Sequence, residues 1–329
     1  MKTLVTGGAG FIGSHVVERL LQAGHQVVVV DNGTSGYFES ISSHVRCYEL
    51  NIASDEMRIL FERERPEAVF HLAAQSDVQC SIHQPIADAN TNIIGSIRLM
   101  EMCGQYGVRK FIYSSSAAIY GEPQHLPIQE QHPIMPLSPY GLSKYVPEQY
   151  LRVLAEQYGY QYVILRYANV YGARQMSKGE GGVISIFTDR AARNQAVTIY
   201  GDGSQTRDFI HVDDVAGANI AALETDDNLI LNISTSQPTS IHELYRLIQR
   251  MCNGQEPRFA PKRSGDIDHS YLCNTEAMQR LNWRPQVSLL AGLERTLQYT
   301  QEKLGVGSLQ SGSDIPMGGI FPTASAITV

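Results

Sequence analysis

The stretch TLVTGGAGFIGSHVVERLLQAG constrains this chain more than any other. A short apolar run passes directly into glycines at 7, 10 and 13, then into a helical pattern closed by Gly24. Glycines placed there let the backbone turn tightly and approach a pyrophosphate, whose charge then meets the N-terminus of the following helix. The next apolar run, QVVVV, ends at Asp31, where an acid accepts hydrogen bonds from both ribose hydroxyls of an adenosine. A carboxylate at that point repels a 2′-phosphate and so favours NAD over NADP. Glycine triplets are common in strand–helix turns. The triplet, its context and the strand-end aspartate together point to a dinucleotide-binding unit.

Similar runs recur through the first half: HVRCYEL, EAVFHLA, RKFIYSSS and YVILRY. Helical patterns separate them, notably Ile86 to Tyr106 and Tyr140 to Tyr158. Strands apolar at nearly every position are buried on both faces. Their alternation with helices implies right-handed crossovers and an α/β fold with a Rossmann-like, doubly wound parallel sheet. The expected division is 1–170 for the dinucleotide-binding domain, with later segments able to rejoin it. Residues 171–304 then form a smaller C-terminal α/β substrate-binding region, and 305–329 a Gly/Ser/Thr-rich tail without assigned role. In an open sheet the ligand lies at the carboxyl ends of the strands, so the second region is expected to close over it.

At 43% hydrophobic and 18% charged, the 329 residues suit a packed core and not a disordered chain. A net charge of −7 offers no bulk attraction to nucleic acid or an anionic membrane. No apolar run approaches a membrane span and no signal peptide is visible. The five cysteines are odd in number and lack a C-x-x-C pair. Neither a disulfide framework nor a metal site is expected, and the thiols suit a cytoplasmic protein.

Two further segments carry chemistry. YSSSAAIYG, residues 113–121, puts three serines at the end of a strand, and SPYGLSK places Tyr140 and Lys144 four apart on one helical face. An ammonium beside a phenol stabilises the phenolate, so the pair suits acid–base work. Tyr106 and Lys110 have the same spacing, but Gly107 ends the helix between them, which makes that pair structural. His71 and His211 stand in apolar, strand-like settings and are expected to be satisfied core or strand-edge histidines.

With TGGAGFIG, DN at 31–32, HLAAQ at 71–75, YSSSAAIYG, SPYGLSK, LRYANVYG and GDGSQTRDFIHVDD in hand, the chain resembles the extended short-chain dehydrogenase/reductases, and among them the UDP-glucose 4-epimerase type. The likeness runs from Lys2 to about Tyr299. It implies NAD as cofactor, a UDP-sugar as substrate and a homodimer formed by the two long helices. It also implies Ser116 as the catalytic hydroxyl, Tyr140 as the base at the sugar O4 and Lys144 on the nicotinamide ribose. Ser114 and Ser115 become spacers or minor cofactor contacts. Further cofactor contacts follow at Phe11, Ile12, Asn32, Leu72, Ala73, Ala74, Gln75, Thr91, Tyr167 and Ala168. Asn51-Ile52 stands where the family often has Asp-Ile at the adenine, and an amide oxygen still accepts that bond. Substrate contacts are implied at Asn169, Arg207, Arg263, Asp266 and Ser270.

Related dehydratases carry Asp-Glu directly after the catalytic hydroxyl; this chain has Ala117-Ala118, which can neither donate nor accept a proton. Inversion at C4 is therefore the leading expectation. A small residue at 270 leaves room for an N-acetyl group, so the expected substrates are UDP-glucose and UDP-galactose, UDP-N-acetylglucosamine and UDP-N-acetylgalactosamine, or both pairs. The alternatives are a UDP-glucuronate 4-epimerase, with Arg174 facing a carboxylate, a nucleotide-sugar dehydratase, or a non-enzymatic NAD-binding sensor.

Overall fold

The computed structural model describes residues 1–177, 181–262 and 267–306. In chain order the first half contains β1 (Lys2–Thr6), α1 (Phe11–Gln22), β2 (Gln26–Asp31), β3 (Arg46–Glu49), α2 (Glu56–Glu64), β4 (Ala68–His71), α3 (Val78–His83), α4 (Pro85–Ala89), α5 (Ser96–Gln105), β5 (Lys110–Ser116), α6 (Pro139–Tyr158) and β6 (Gln161–Tyr167). The second half contains β7 (Asn169–Tyr171), α7 (Val183–Ala192), β8 (Thr198–Tyr200), β9 (Thr206–His211), α8 (Val212–Glu224), β10 (Leu229–Ile233), β11 (Pro238–Ser240), α9 (Ile241–Cys252), β12 (Arg258–Ala260), α10 (Thr275–Arg280) and α11 (Leu289–Leu304). No helix among the described residues is long and apolar enough to cross a membrane.

Seven strands form one parallel sheet in the order β10-β6-β5-β4-β1-β2-β3. The direction of winding reverses between β1 and β4, which opens a crevice at the carboxyl ends of those two strands. β1, β4 and β5 are almost wholly buried, because helices cover both faces. The chain re-enters this sheet late. β10 pairs with β6, and Val215, Ala218 and Ala222 of α8 share a core with Val16, Val17 and Leu20 of α1. The regions expected on either side of residue 170 therefore interleave along the chain. A three-stranded sheet (β11-β9-β7) and a pair (β12-β8) lie with α7, α9 and α11 over a separate core.

Two helices are irregular. The stretch predicted as one helix from Ile86 to Tyr106 is interrupted by a π turn at Asn90–Gly95, between α4 and α5. Side-chain bonds hold this turn open: the Asn92 amide donates to the Gln75 carbonyl (2.9 Å), Asp88 (3.1 Å) and Ser143 (3.0 Å), and accepts from the Gln75 N–H (2.8 Å). In α6, Pro147 is the ninth residue, in the helix interior. Its ring lies buried, and the Ser143 carbonyl loses its helical donor there. Tyr106 and Lys110 are structural, as expected: Tyr106 donates to Glu62 and Lys110 to the Thr225 carbonyl.

Two buried polar networks fix the strands that meet the crevice. In the first, His71 at the end of β4 bonds Thr6 Oγ1 of β1 (2.8 Å) and Ser96 Oγ of α5 (2.8 Å), and Ser96 donates to the Asn92 carbonyl (2.5 Å). Burial, aided by the Lys144 charge, pushes the His71 pKa down to about 3, so the ring is neutral and serves the core. In the second, Glu148 of α6 accepts from Ser115 Oγ (2.5 Å) and receives a forked pair from Arg166 of β6 (3.0 and 2.6 Å). Arg166 also donates to Tyr120 (2.9 Å), which donates to Asn232 (2.7 Å). Burial alone lowers the Arg166 pKa, but the hydrogen bonds and charge of Glu148 hold it above its ordinary value.

Removing one partner of a buried ion pair strands the other charge. Arg166→Met is expected to cost about 3–5 kcal/mol of unfolding free energy, measured in urea, and Glu148→Gln in the same chain should restore part of it. An Arg166→Met protein of unchanged midpoint contradicts this. His71 supplies a pH test. Its folded pKa lies below the unfolded value, so the unfolded chain takes up the proton first. The stabilisation is complete above about pH 6.5 and is lost as pH falls toward 3. Near pH 5 the loss is on the order of 2 kcal/mol. His71→Gln should flatten the acid slope of stability by that amount; an unaltered slope contradicts the assignment.

Candidate active site

The glycine turn closes against β4 with no space for side chains. Gly7 has φ +71°, and a Cβ there would lie 2.5 Å from the Ala73 nitrogen; a Cβ on Gly13 would lie 2.0 Å from the Gly7 carbonyl oxygen. Gly10 starts α1 without a side-chain cap, so the N–H groups of the first turn remain available to an anion. At the end of β2, Asp31 is buried, its carboxylate accepting from the Ala9 N–H (3.0 Å) and the Gly33 N–H (2.9 Å). Each oxygen keeps accepting capacity for a ribose.

These residues line a cleft of about 360 Å³. Every residue expected at the cofactor lies on its wall except Gln75 and Lys144. The Gln75 side chain donates to the Asp77 carbonyl (3.0 Å) and Asp88 (2.8 Å), and its neighbour Ser76 lines the cleft. Asn51 lines the cleft, but its amide oxygen already accepts from the Ala53 N–H (2.9 Å). The wall also includes Ser35, Leu50 and, from the second region, Arg174, Gln175, Met176 and Val183. No sequence spacing marks these residues, since they reach the cleft through the fold. The site fits NAD: a cradle that excludes a Cβ at Gly7 and Gly13, an open helix N-terminus for the diphosphate and a fixed carboxylate for the ribose.

α6 lies across the same cleft, locked to β5. Lys144 is buried, and its Nζ donates to the Ser114 carbonyl (2.9 Å) and lies 5.4 Å from the Tyr113 ring centre. Tyr113 donates back to the Lys144 carbonyl (3.2 Å). Tyr140 lines the cleft, with its N–H held by Ser81 of α3 (3.1 Å). Ser138 caps the helix through the Gly141 N–H (3.1 Å). Ser81 was not singled out in the sequence, because 59 residues separate it from Tyr140. Glu148 was legible in principle: at 140, 144 and 148 the three side chains share one helical face.

The three serines differ in their commitments. Ser114 and Ser115 line the cleft, with Ser114 Oγ bonded to Tyr167 OH (3.0 Å) and Ser115 Oγ to Glu148. Burial moves the Tyr167 pKa up to about 12, although the bonds from Ser114 and Asn219 oppose the shift. Ser116 ends the strand, outside the lining residues, and its Oγ accepts from the Ala118 N–H (3.2 Å). That bond leaves its hydroxyl proton to donate elsewhere.

A second cavity of about 810 Å³ lies between α7, β8 and β9, and Asn169 and Val183 line both. Arg207 stands in its wall, donating to the Thr206 carbonyl (2.8 Å), with Arg190 and Arg193 nearby in the wall. Ser270 lines neither cavity; its N–H bonds the Thr206 carbonyl (3.2 Å). Arg263 and Asp266 lie outside the described residues. Arg174 pairs with Glu18 of α1 (2.5 Å) and lines the first cleft and not the second cavity. His211 caps α8, its Nδ1 accepting from the Asp213 N–H (3.2 Å).

Comparison with known proteins agrees with this geometry. Residues 3–234 match the model of the NAD dependent epimerase/dehydratase family. A putative UDP-glucose 4-epimerase of Methanocaldococcus jannaschii is 43% identical over 90% of this chain and 97% of its own length. The UDP-glucose 4-epimerase of Thermotoga maritima, solved with UDP-glucose, superposes with a TM-score of 0.91 at 47% identity, covering 92% of this chain and all of that one. A UDP-N-acetylglucosamine 4-epimerase from Methanobrevibacter ruminantium superposes at 0.88 with 32% identity, over 92% of this chain and 98% of that one. A tyrosine–lysine pair beside a dinucleotide cleft, and relatives matched over nearly their whole length, make this chain a member of the NAD-dependent epimerase/dehydratase family.

Proposed function

We propose that the protein inverts C4 of a UDP-hexose. The observation that carries this reading is Tyr140 on the wall of the NAD cleft, with Lys144 one turn along the same helix bonded to the end of β5 and alanine at 117 and 118. NAD, held by the glycine turn and Asp31, would supply a hydride acceptor and then a hydride donor for C4. The protein supplies the proton chemistry and the positioning. Tyr140 takes the O4 proton during oxidation and gives it back during reduction. Lys144, held by the Ser114 carbonyl, keeps positive charge near that phenol and presents an ammonium to the nicotinamide ribose. Ser116 hydrogen-bonds the reacting oxygen. The 4-keto sugar then has to turn over in the site, and the carbohydrate is best held through its nucleotide. Arg207 and Asn169, in the wall of the second cavity, are placed to hold the diphosphate while the ring rotates, because guanidinium–phosphate bonds are strong and directional. Ala117 and Ala118 offer no acid or base to eliminate water, so the ketone is reduced again.

The substrates are UDP-glucose and UDP-galactose together with their N-acetylated counterparts. Relatives named for both sugar series superpose on this chain over nearly its whole length. A uronate is less suited, because Arg174 lines the first cleft and not the second cavity. The five cysteines, all free, suit a reducing cytoplasm. The chain forms a homodimer through α4, α5 and α6, where Ile86 (77% exposed), Val153 (64%) and Leu142 (51%) stand in solvent.

Incubation with UDP-glucose or UDP-N-acetylglucosamine, followed by NMR, should give the 4-epimers. Tyr140→Phe should lower kcat by about 10²–10⁴-fold. A 4-keto-6-deoxy product without an epimer would refute the reading, as would full activity in Tyr140→Phe. In sedimentation velocity the wild type should run as a dimer and Ile86→Glu/Val153→Glu as a monomer. A monomeric wild type rejects the interface.

A further inference from the structure

The geometry points to Arg174 as a ligand of the cofactor diphosphate, delivered from the second region. The inference rests on NAD occupying the first cleft. A dianionic diphosphate entering a partly enclosed cleft needs compensating charge. The glycine turn offers backbone N–H groups and the end of α1, worth about +0.5 elementary charge, which leaves most of the negative charge unmet. Among the described residues that line the cleft, Arg174 alone carries positive charge. Lys144 is off the wall and committed to the Ser114 carbonyl.

The structure aims Arg174 toward α1, the helix whose N-terminus receives the diphosphate. Its backbone adopts φ +69°, a left-handed conformation that arginine rarely takes without other contacts. Those contacts come from α1. His15 bonds the Ala173 carbonyl (3.1 Å), and Glu18 bonds Arg174 Nη2 (2.5 Å). One face of the guanidinium is therefore braced. Nη1 is buried with no hydrogen-bond partner, an arrangement that is costly unless an acceptor arrives. The adjacent Gln175 amide also lines the cleft and holds a buried oxygen without a donor. Glu18 thus acts as a brace, and Arg174 contributes charge to the phosphates. The cleft then offers groups of both signs, with Asp31 for the ribose hydroxyls and Arg174 for the diphosphate.

The test uses full-length wild type, Arg174→Met and Arg174→Lys, each checked for cooperative unfolding. Bound NAD per chain is measured after purification. Dissociation constants for NAD, ADP-ribose and adenosine are then measured by calorimetry on cofactor-depleted protein. Arg174→Met should weaken NAD and ADP-ribose about tenfold to a hundredfold and leave adenosine within about twofold, the loss expected for one hydrogen bond to a charged group. Arg174→Lys should fall between. Unchanged affinity for NAD and ADP-ribose in a folded Arg174→Met overturns the assignment. So does an equal loss for adenosine, which would make Arg174 a prop for the loop. A wild type that binds none of the three ligands would instead remove the NAD reading.

Discussion

The active site depends on how α6 is fastened to β5. A buried lysine is tolerated only when its ammonium is satisfied, and here the Ser114 carbonyl supplies part of that need. The same carbonyl belongs to the strand that carries the three serines, so one bond sets the helix, the lysine and the hydroxyls in a common frame. One turn further along α6, Glu148 repeats the arrangement with Ser115, and Tyr113 returns a bond to the Lys144 carbonyl. Lys144 therefore does not require an independent mechanism to hold it in place. Its position is a consequence of strand–helix packing.

The supports extend outward in two directions. On one side, Glu148 is neutralised by Arg166, which reaches Tyr120 and, through it, Asn232 near β10. The late return of the chain to the main sheet thereby reinforces the catalytic strand. On the other side, Ser143, one residue before Lys144, accepts from Asn92 in the π turn, and Asn92 connects through Ser96 to His71 and Thr6. An ordinary α-helix would rotate these side chains out of register. The extra residue of the π turn is what lets Asn92 face Gln75, Asp88 and Ser143 together.

Much of this was legible before any coordinates. The glycine turn, Asp31, and the Tyr140–Lys144 pair on one helical face are local patterns, readable because each depends on neighbours within a few residues. What escaped notice depends on distance. β10 joins the sheet through pairing with β6, more than 60 residues earlier, and short apolar runs do not name their partners. The π turn at Asn90–Gly95 follows from contacts to Gln75, Asp88 and Ser143, and Gly95 sits there because a Cβ would meet Ile52 at 2.9 Å. The place of Gln75 in HLAAQ does not show that its backbone bonds Asn92 of that turn and its side chain Asp88. Nor does VYGARQ show that Arg174 pairs with Glu18, far back on the first helix.

The two alanines after Ser116 acquire a structural meaning as well. The turn they begin is pressed against the first turn of α6: a Cβ on Gly141 would lie 2.5 Å from the Ala118 carbonyl oxygen. Ala117 packs beside Ile119, Tyr120, Ile128 and Leu272. The residue adjoining Tyr140 is thus fitted directly to the strip where an eliminating enzyme keeps its acid and base. Carboxylates at these half-buried positions would lose part of their hydration to that apolar side. Alanine at 117 and 118 thus keeps carboxylates out of the turn that packs against the start of α6, as the proposed return of hydride to the ketone requires.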